Sequence, residues 1–185
     1  MERMSDPDPG DLVLAAGGDV AATTRLIGRW KGRVYGVFER WEEPSAAAEA
    51  TVSVFSELLE GAGSYDPAVP FPVWLHRGVY RRFRESAGGN PPAVPLARLK
   101  ESAAARTAFL RAAVAALPAR ARAALLFTRV GRLPLETAAA ALGVDAAEAR
   151  RDVVTAMERL ARALSPILET AADPSAPASP AEAAP

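Results

Sequence analysis

The chain contains no cysteine and a single histidine. Without thiols there are no disulfides, no Cys-based zinc sites and no thiol nucleophile. One imidazole without a thiolate partner leaves no metal site of the usual His/Cys kind. Aromatic residues are also scarce, at 6% of 185 residues, and much of the hydrophobic half of the composition is alanine. Any core must therefore be thin and built around a few Trp, Phe, Leu and Val side chains. No apolar run approaches the roughly 18 residues that a membrane-spanning helix requires, and no basic-plus-apolar leader opens the chain. A soluble cytoplasmic protein is expected, with no membrane partner, no cofactor, no metal and no small-molecule substrate. Strand-type alternation is missing as well, so the expected fold class is all-α.

Net charge is also lacking, since 22 Lys and Arg balance 22 Asp and Glu. The distribution is nevertheless uneven. Residues 1–85 carry 10 basic and 13 acidic side chains, whereas residues 104–166 carry 10 Arg and 5 acids. A basic C-terminal half suits a polyanionic partner. Attraction between the two halves of the chain accounts for the same asymmetry equally well.

The organisation is punctuated by Pro and Gly. Residues 1–10, MERMSDPDPG, are polar and Pro-rich and are expected to fray. Leu26, Trp30, Val34, Phe38 and Trp41 recur at helical spacing and predict one buried face. Gly28, Gly32 and Gly36 interrupt that helix every fourth residue, which suggests close approach of a neighbouring helix at some cost in propensity. A second helix buries Val54, Phe55, Leu58 and Leu59 and stops at Gly61. After the turn-rich GAGSYDPAVPFP, a third helix places Leu75, Val79 and Phe83 four residues apart. A first module over 11–85, a flexible linker over 86–103 and a second helical module over 104–166 follow from this pattern. The second module is expected to close at Ser165-Pro166. Residues 167–185, Ala- and Pro-rich, have the composition of a disordered tail.

Within the second module, LETAAAALGVDAAEARRDVV has the form of a helix-turn-helix. Ala139 is small where two helices would cross, and Gly143 suits the left-handed turn between them. Val144, Ala149, Val153, Ala156 and Leu160 form the buried stripe of the second helix. That helix brings Asp145, Glu148 and Asp152 beside only Arg150 and Arg151, an odd balance for a DNA-facing element. Asp145 is positioned as an N-cap, with Glu148 three residues on completing a capping box. Asp152 falls on a flank, where it can pair within the protein. Ala147, Arg151, Val154 and Thr155 then face outward, with Arg150 on the other flank. An Arg forked onto guanine contributes about 1–3 kcal/mol of discrimination, and small apolar groups can touch thymine methyls. Arg120, Arg122, Arg129 and Arg132 are candidates for gripping phosphates.

The helix PFPVWLHRGVYRRFRES is both basic and aromatic. Arg77, Arg81 and Arg84 form one stripe, bordered by Trp74, His76 and Tyr80. Such a surface suits unstacked bases and a phosphate backbone. A solvated face over a core of Leu75, Val79 and Phe83 reads the same residues structurally. His76 is read as a surface or packing residue, and the chain is not expected to be an enzyme.

Taken in order, DLVLAAGGDVAATTRLIGRWKGRVYGVF, YDPAVPFPVWL, LRAAVAALPARARAALLF and LPLETAAAALGVDAAEARRDVVTAMERLARAL resemble an RNA polymerase sigma factor. The resemblance is to the extracytoplasmic-function type of the sigma-70 family, in a divergent form. It covers about 11–85 as region 2 and 104–164 as region 4. It implies that the first module docks on the clamp of the polymerase core and helps to open promoter DNA. It also implies that Ala147 to Thr155 enter the major groove of an upstream promoter element. An 18-residue linker reaches roughly 60 Å when extended, enough for the modules to occupy separate stretches of one promoter. In this family the clamp-binding segment carries an acidic cluster and a Gln ahead of Val-Phe. Here SAAAEATV keeps Glu49 and has Val52 at the Gln position, so Glu49, Val52 and Phe55 are the polymerase-binding candidates.

Two other readings remain at the level of sequence. A sigma-like regulator would keep the helix-turn-helix and use its first module for a partner protein, such as an anti-sigma protein. A helical interaction module with no DNA role is the third.

Overall fold

The structure, a computed structural model, describes residues 8–85 and 102–171, with side chains through Ser165. Among the described residues there are eight α-helices and no strand, so the fold is all-α. They are α1 (Asp8–Ala16), α2 (Val20–Glu39), α3 (Pro44–Glu60), α4 (Phe71–Glu85), α5 (Ala103–Ala115), α6 (Ala119–Arg129), α7 (Leu135–Leu142) and α8 (Ala146–Ala171). A short 3-10 turn, Ala62–Ser64, lies between α3 and α4.

Local chemistry sets most boundaries. Asp19 caps α2 by accepting from the Ala22 N–H at 2.9 Å, and Ser102 caps α5 through Ala105. Pro44 opens α3, where a missing N–H costs nothing. Gly131 follows α6 because a Cβ there would lie 2.8 Å from the Phe127 carbonyl oxygen.

The apolar faces read from the sequence are buried. Leu26, Trp30, Val34 and Phe38 of α2 meet Val54, Phe55 and Leu58 of α3 and Leu75, Val79 and Phe83 of α4. Burial of each large side chain contributes about 1.5–3 kcal/mol. This core continues without a break into the C-terminal half. Phe83 lies 5.8 Å from Phe38 and 5.9 Å from Phe127 of α6, ring centre to ring centre. Helix α4 packs on both α6 and α7. The two modules, expected on separate stretches of DNA, are thus in contact through a common apolar junction. Of the linker expected over 86–103, residues 86–101 lie outside the described residues, as do 1–7 and 172–185, and Ser102 and Ala103 open α5.

Three local expectations change. Residues 8–10 are helical rather than frayed, because the Asp8 carboxylate is buried and accepts from Trp30 Nε1 at 2.9 Å and from Arg29. Asp11 pairs with Arg25 at 2.7 Å and completes the strap of α1 onto α2. Helix α8 passes through Pro166 to Ala171; a proline removes one hydrogen bond and strains a helix without having to end it. The glycine series is also mostly open. Among the described residues, a Cβ on Gly28 or Gly32 would meet nothing within 4 Å, and Gly36 alone of the three has a neighbour, Val130 Cγ1 at 3.7 Å.

Candidate nucleic-acid interface

The helix-turn-helix forms from α7, the turn Gly143–Asp145 and α8. Gly143 adopts φ 73° and ψ 31°, the left-handed conformation that ends α7. Asp145 Oδ1 accepts from the Glu148 N–H at 2.6 Å and so caps α8. Ala149 and Ala156 are fully buried and Val153 nearly so, with Val144 and Leu160 packed at the margin. Ala147, Arg150, Arg151 and Val154 are exposed on the outer surface, with Thr155 half-buried beside them.

The acids of α8 have a partner that the sequence did not indicate. Arg120 of α6 pairs with Glu148 at 2.7 Å and, through Nε, with Asp152 at 2.7 Å. The hydrogen bond that Arg120 donates to Asp152, with burial working against it, shifts the guanidinium upward from its ordinary value. Glu148 therefore does not act as the expected reciprocal half of a capping box; its carboxylate is turned to Arg120. Arg120 itself, read as a phosphate ligand, is occupied within the protein. Arg129 and Arg132 remain exposed. Arg132 takes φ 54° at the entry to the motif, an unusual conformation for a side-chain-bearing residue.

Arg122, another of the candidate phosphate ligands, is 1% exposed. Its Nη1 donates to Ala115 O at 2.8 Å and its Nη2 to Phe83 O at 3.1 Å. The guanidinium stacks 4.0 Å above the Trp41 ring and 5.2 Å from that of Phe83. Burial pushes its pKa down, with Glu42 opposing. In the structure Arg122 stands within the run Ala121 to Phe127, all of it buried.

The surface of α4 is assembled by the loop before it. Tyr65 donates to Val69 O at 2.8 Å, and Asp66 Oδ1 accepts from the Ala68 N–H at 2.9 Å, which folds the Tyr-Asp-Pro segment tightly. The Tyr65 ring meets that of Trp74 edge-on at 5.1 Å. Trp74 and Tyr80 are half-buried against the core, so each presents only part of its ring to solvent. Arg77, Arg81 and Arg84 are exposed. Arg81 pairs with Glu57 of α3 at 2.6 Å, and Arg77 Nη2 reaches Ala140 O of α7 at 3.5 Å. His76 is fully buried. Its Nδ1 lies 2.7 Å from Pro72 O, and its ring sits edge-on to Phe127 at 4.9 Å. Burial holds its pKa down at about 4. It is a packing residue of the junction.

Of the polymerase-binding candidates, Val52 and Phe55 line a groove between α2 and α3 of about 510 Å³, with Ile27, Tyr35, Ala48 and Leu59 among its other walls. Val52 is 66% exposed on its rim, and Phe55, 4% exposed, belongs to the core and shows only an edge there. Glu49 is exposed on α3 but does not line the groove.

Fold and site together define an all-helical, two-part protein carrying a helix-turn-helix beside a basic helix. No protein-family model matches the chain, and no curated protein matches its sequence. Among solved structures, the chain is similar to CnrH, determined in complex with the cytosolic domain of CnrY, with a TM-score of 0.66. The likeness covers 89% of this chain and 99% of that one at 20% sequence identity, and it is a likeness of fold. Among the described residues no helix is long and apolar enough to cross a membrane, and no cluster of His, Cys, Asp and Glu could hold a metal ion.

Proposed function

We propose that the protein is a sigma-like transcription factor of the extracytoplasmic-function type, binding promoter DNA and the RNA polymerase core and catalysing no reaction. The observation that carries this reading is the completed helix-turn-helix. Gly143 and Asp145 set the turn and cap, and Arg151 with Ala147 and Val154 occupies the outer face. The fold likeness to CnrH over nearly the whole of both chains supports it. In this reading Ala147, Arg150, Arg151, Val154 and Thr155 meet base edges, and Arg132 meets phosphate. Trp74, Arg77, Tyr80, Arg81 and Arg84 hold the separated strand. Val52 and the edge of Phe55 offer the polymerase an apolar contact, with Glu49 alongside.

A second reading draws on the same groove. Its lining is apolar and the acidic cluster is reduced to Glu49, which suits a partner protein in place of the polymerase clamp. CnrH was solved with a bound protein, the cytosolic domain of CnrY, which supports a protein partner here; in this second reading that partner is an anti-sigma protein. Mixing the full chain with purified core polymerase, followed by transcription from candidate promoters, separates the two. Core binding with promoter-specific transcripts supports the first; DNA binding without core binding supports the second.

A further inference from the structure

We propose that the junction of α4 with α6 and α7 is a releasable latch. Its bolt is Arg122 of the C-terminal half, seated between Trp41 and Phe83 of the N-terminal half. Closure of this latch competes with nucleic acid for α4, a consequence that rests on the function proposed above.

The bolt is visible in the contacts of one side chain. Arg122 reaches across the junction to Phe83 O in the last turn of α4, where carbonyls lack intrahelical partners and the helix dipole is negative. The face of Trp41 covers the cation at 4.0 Å, an attraction that grows as water is excluded. A second tie crosses nearby, from Arg111 of α5 to Glu43 Oε2 at 3.0 Å and Glu39 O at 3.4 Å. Glu43 is largely exposed, so this tie weakens with salt.

The same junction is not built like a permanent core. Trp41 Nε1, His76 Nε2 and Arg122 Nε are buried there without hydrogen-bond partners among the described residues. Folded cores pair nearly all such atoms, because each unpaired one forfeits its hydration. Separation of the halves returns all three to water, which lowers the cost of opening relative to an apolar interface of equal size. Closure also occupies part of the α4 surface. Arg77 is drawn to the α7 backbone, and Tyr80 is half-buried against the shared core. A strand laid along Arg77, Tyr80, Arg81 and Arg84 must displace those contacts.

The absence of cysteine allows clean labelling of the full chain at Val20→Cys and Glu158→Cys, two exposed positions in opposite halves. Single-molecule energy transfer reports separation, and a fluorescent oligothymidine of twelve nucleotides reports binding. Arg122→Ala and Trp41→Leu remove the bolt from either side. Both are expected to populate a low-transfer state and tighten oligothymidine binding by about tenfold, since apparent affinity follows the open fraction. The double variant should gain little over either single one, and Arg122→Lys should fall between Arg122→Ala and the parent. If Arg122→Ala loses helix content by circular dichroism, Trp41→Leu and Arg122→Lys carry the test. Unchanged transfer and unchanged affinity in helical variants overturn the latch. Opening without a gain in affinity overturns the competition for α4. A transfer shift in variants of a chain that binds no oligothymidine upholds the bolt and counts instead against the proposed function.

Discussion

Helices α4 and α8 each carry four arginines, yet they present different surfaces. On α4, Arg81 is paired with Glu57, Arg82 with Glu85, and Arg77 leans on the α7 backbone. On α8 the arrangement is inverted. Its acids Glu148 and Asp152 are held by Arg120 from α6, which leaves Arg150 and Arg151 exposed. The charge written along a helix is therefore not the charge it offers a ligand. Neighbouring helices subtract from α4 and restore α8, and the surplus of acids in the second helix of the motif ceases to be a contradiction.

Of these contacts, that of Arg77 with Ala140 O crosses between the two halves, and the largest expected effect comes from breaking the junction they share. Phe83→Ala removes a fully buried ring that touches Phe38, Trp41 and Phe127. The expected loss is about 3–5 kcal/mol in denaturant unfolding. Because Phe83 also belongs to the N-terminal core, probes there should report the full loss and probes in the C-terminal half a smaller one; an unaltered C-terminal half would mean that the junction does not couple them.

A pH series sharpens the same point. His76 has its folded pKa at about 4 against 6.5 when unfolded, so the unfolded chain takes up the proton first. The stability tied to neutral His76 is complete above pH 6.5 and is lost as pH falls from there toward 4. At 1.36 kcal/mol per unit the loss totals about 3 kcal/mol. His76→Gln should flatten that part of the stability profile relative to the parent, whatever its effect at neutral pH; an unaltered slope would place the titration elsewhere.

Smaller effects are expected within the motif. Asp145→Ala removes the N-cap of α8 and should cost about 1 kcal/mol of stability, measured by thermal unfolding. Asp152→Asn weakens the hold on Arg120 and should let it reach a phosphate. Duplex binding should then tighten modestly, with a salt dependence steeper by about one counterion. An unchanged salt slope would show that Arg120 stays turned inward.

Much of this architecture was legible in the sequence because it rests on local rules. The periodic apolar faces of α2, α3 and α4, the Gly143 turn, the Asp145 cap and the outward position of Arg151 all follow from residues within a few positions of each other. What escaped depends on partners distant in the chain. Arg122 reads as basic until Trp41 and Phe83, more than 35 residues away, enclose it. The helical start at Asp8 depends on Trp30, and the occupation of Arg120 depends on Asp152. Gly28 and Gly32 failed as packing signals because spacing shows where a helix could approach and not whether one does. The exposure of Arg77, Arg81, Arg84, Arg150 and Arg151 was legible, and the pairing of their neighbours was not.

The central claim is that the two helices have separate tasks, α8 reading duplex sequence and α4 holding single strands. The most direct measurement compares the affinity of the full chain, with core polymerase present, for promoter duplex, scrambled duplex and single-stranded oligonucleotide. Arg151→Ala and the pair Arg81→Ala with Arg84→Ala are the two variants required. Arg151→Ala is expected to erase about 1–3 kcal/mol of preference for promoter over scrambled duplex and to leave single-strand affinity intact. The α4 pair should do the reverse. Equal loss by both variants on all three nucleic acids would contradict it and reduce the two helices to one undifferentiated basic surface.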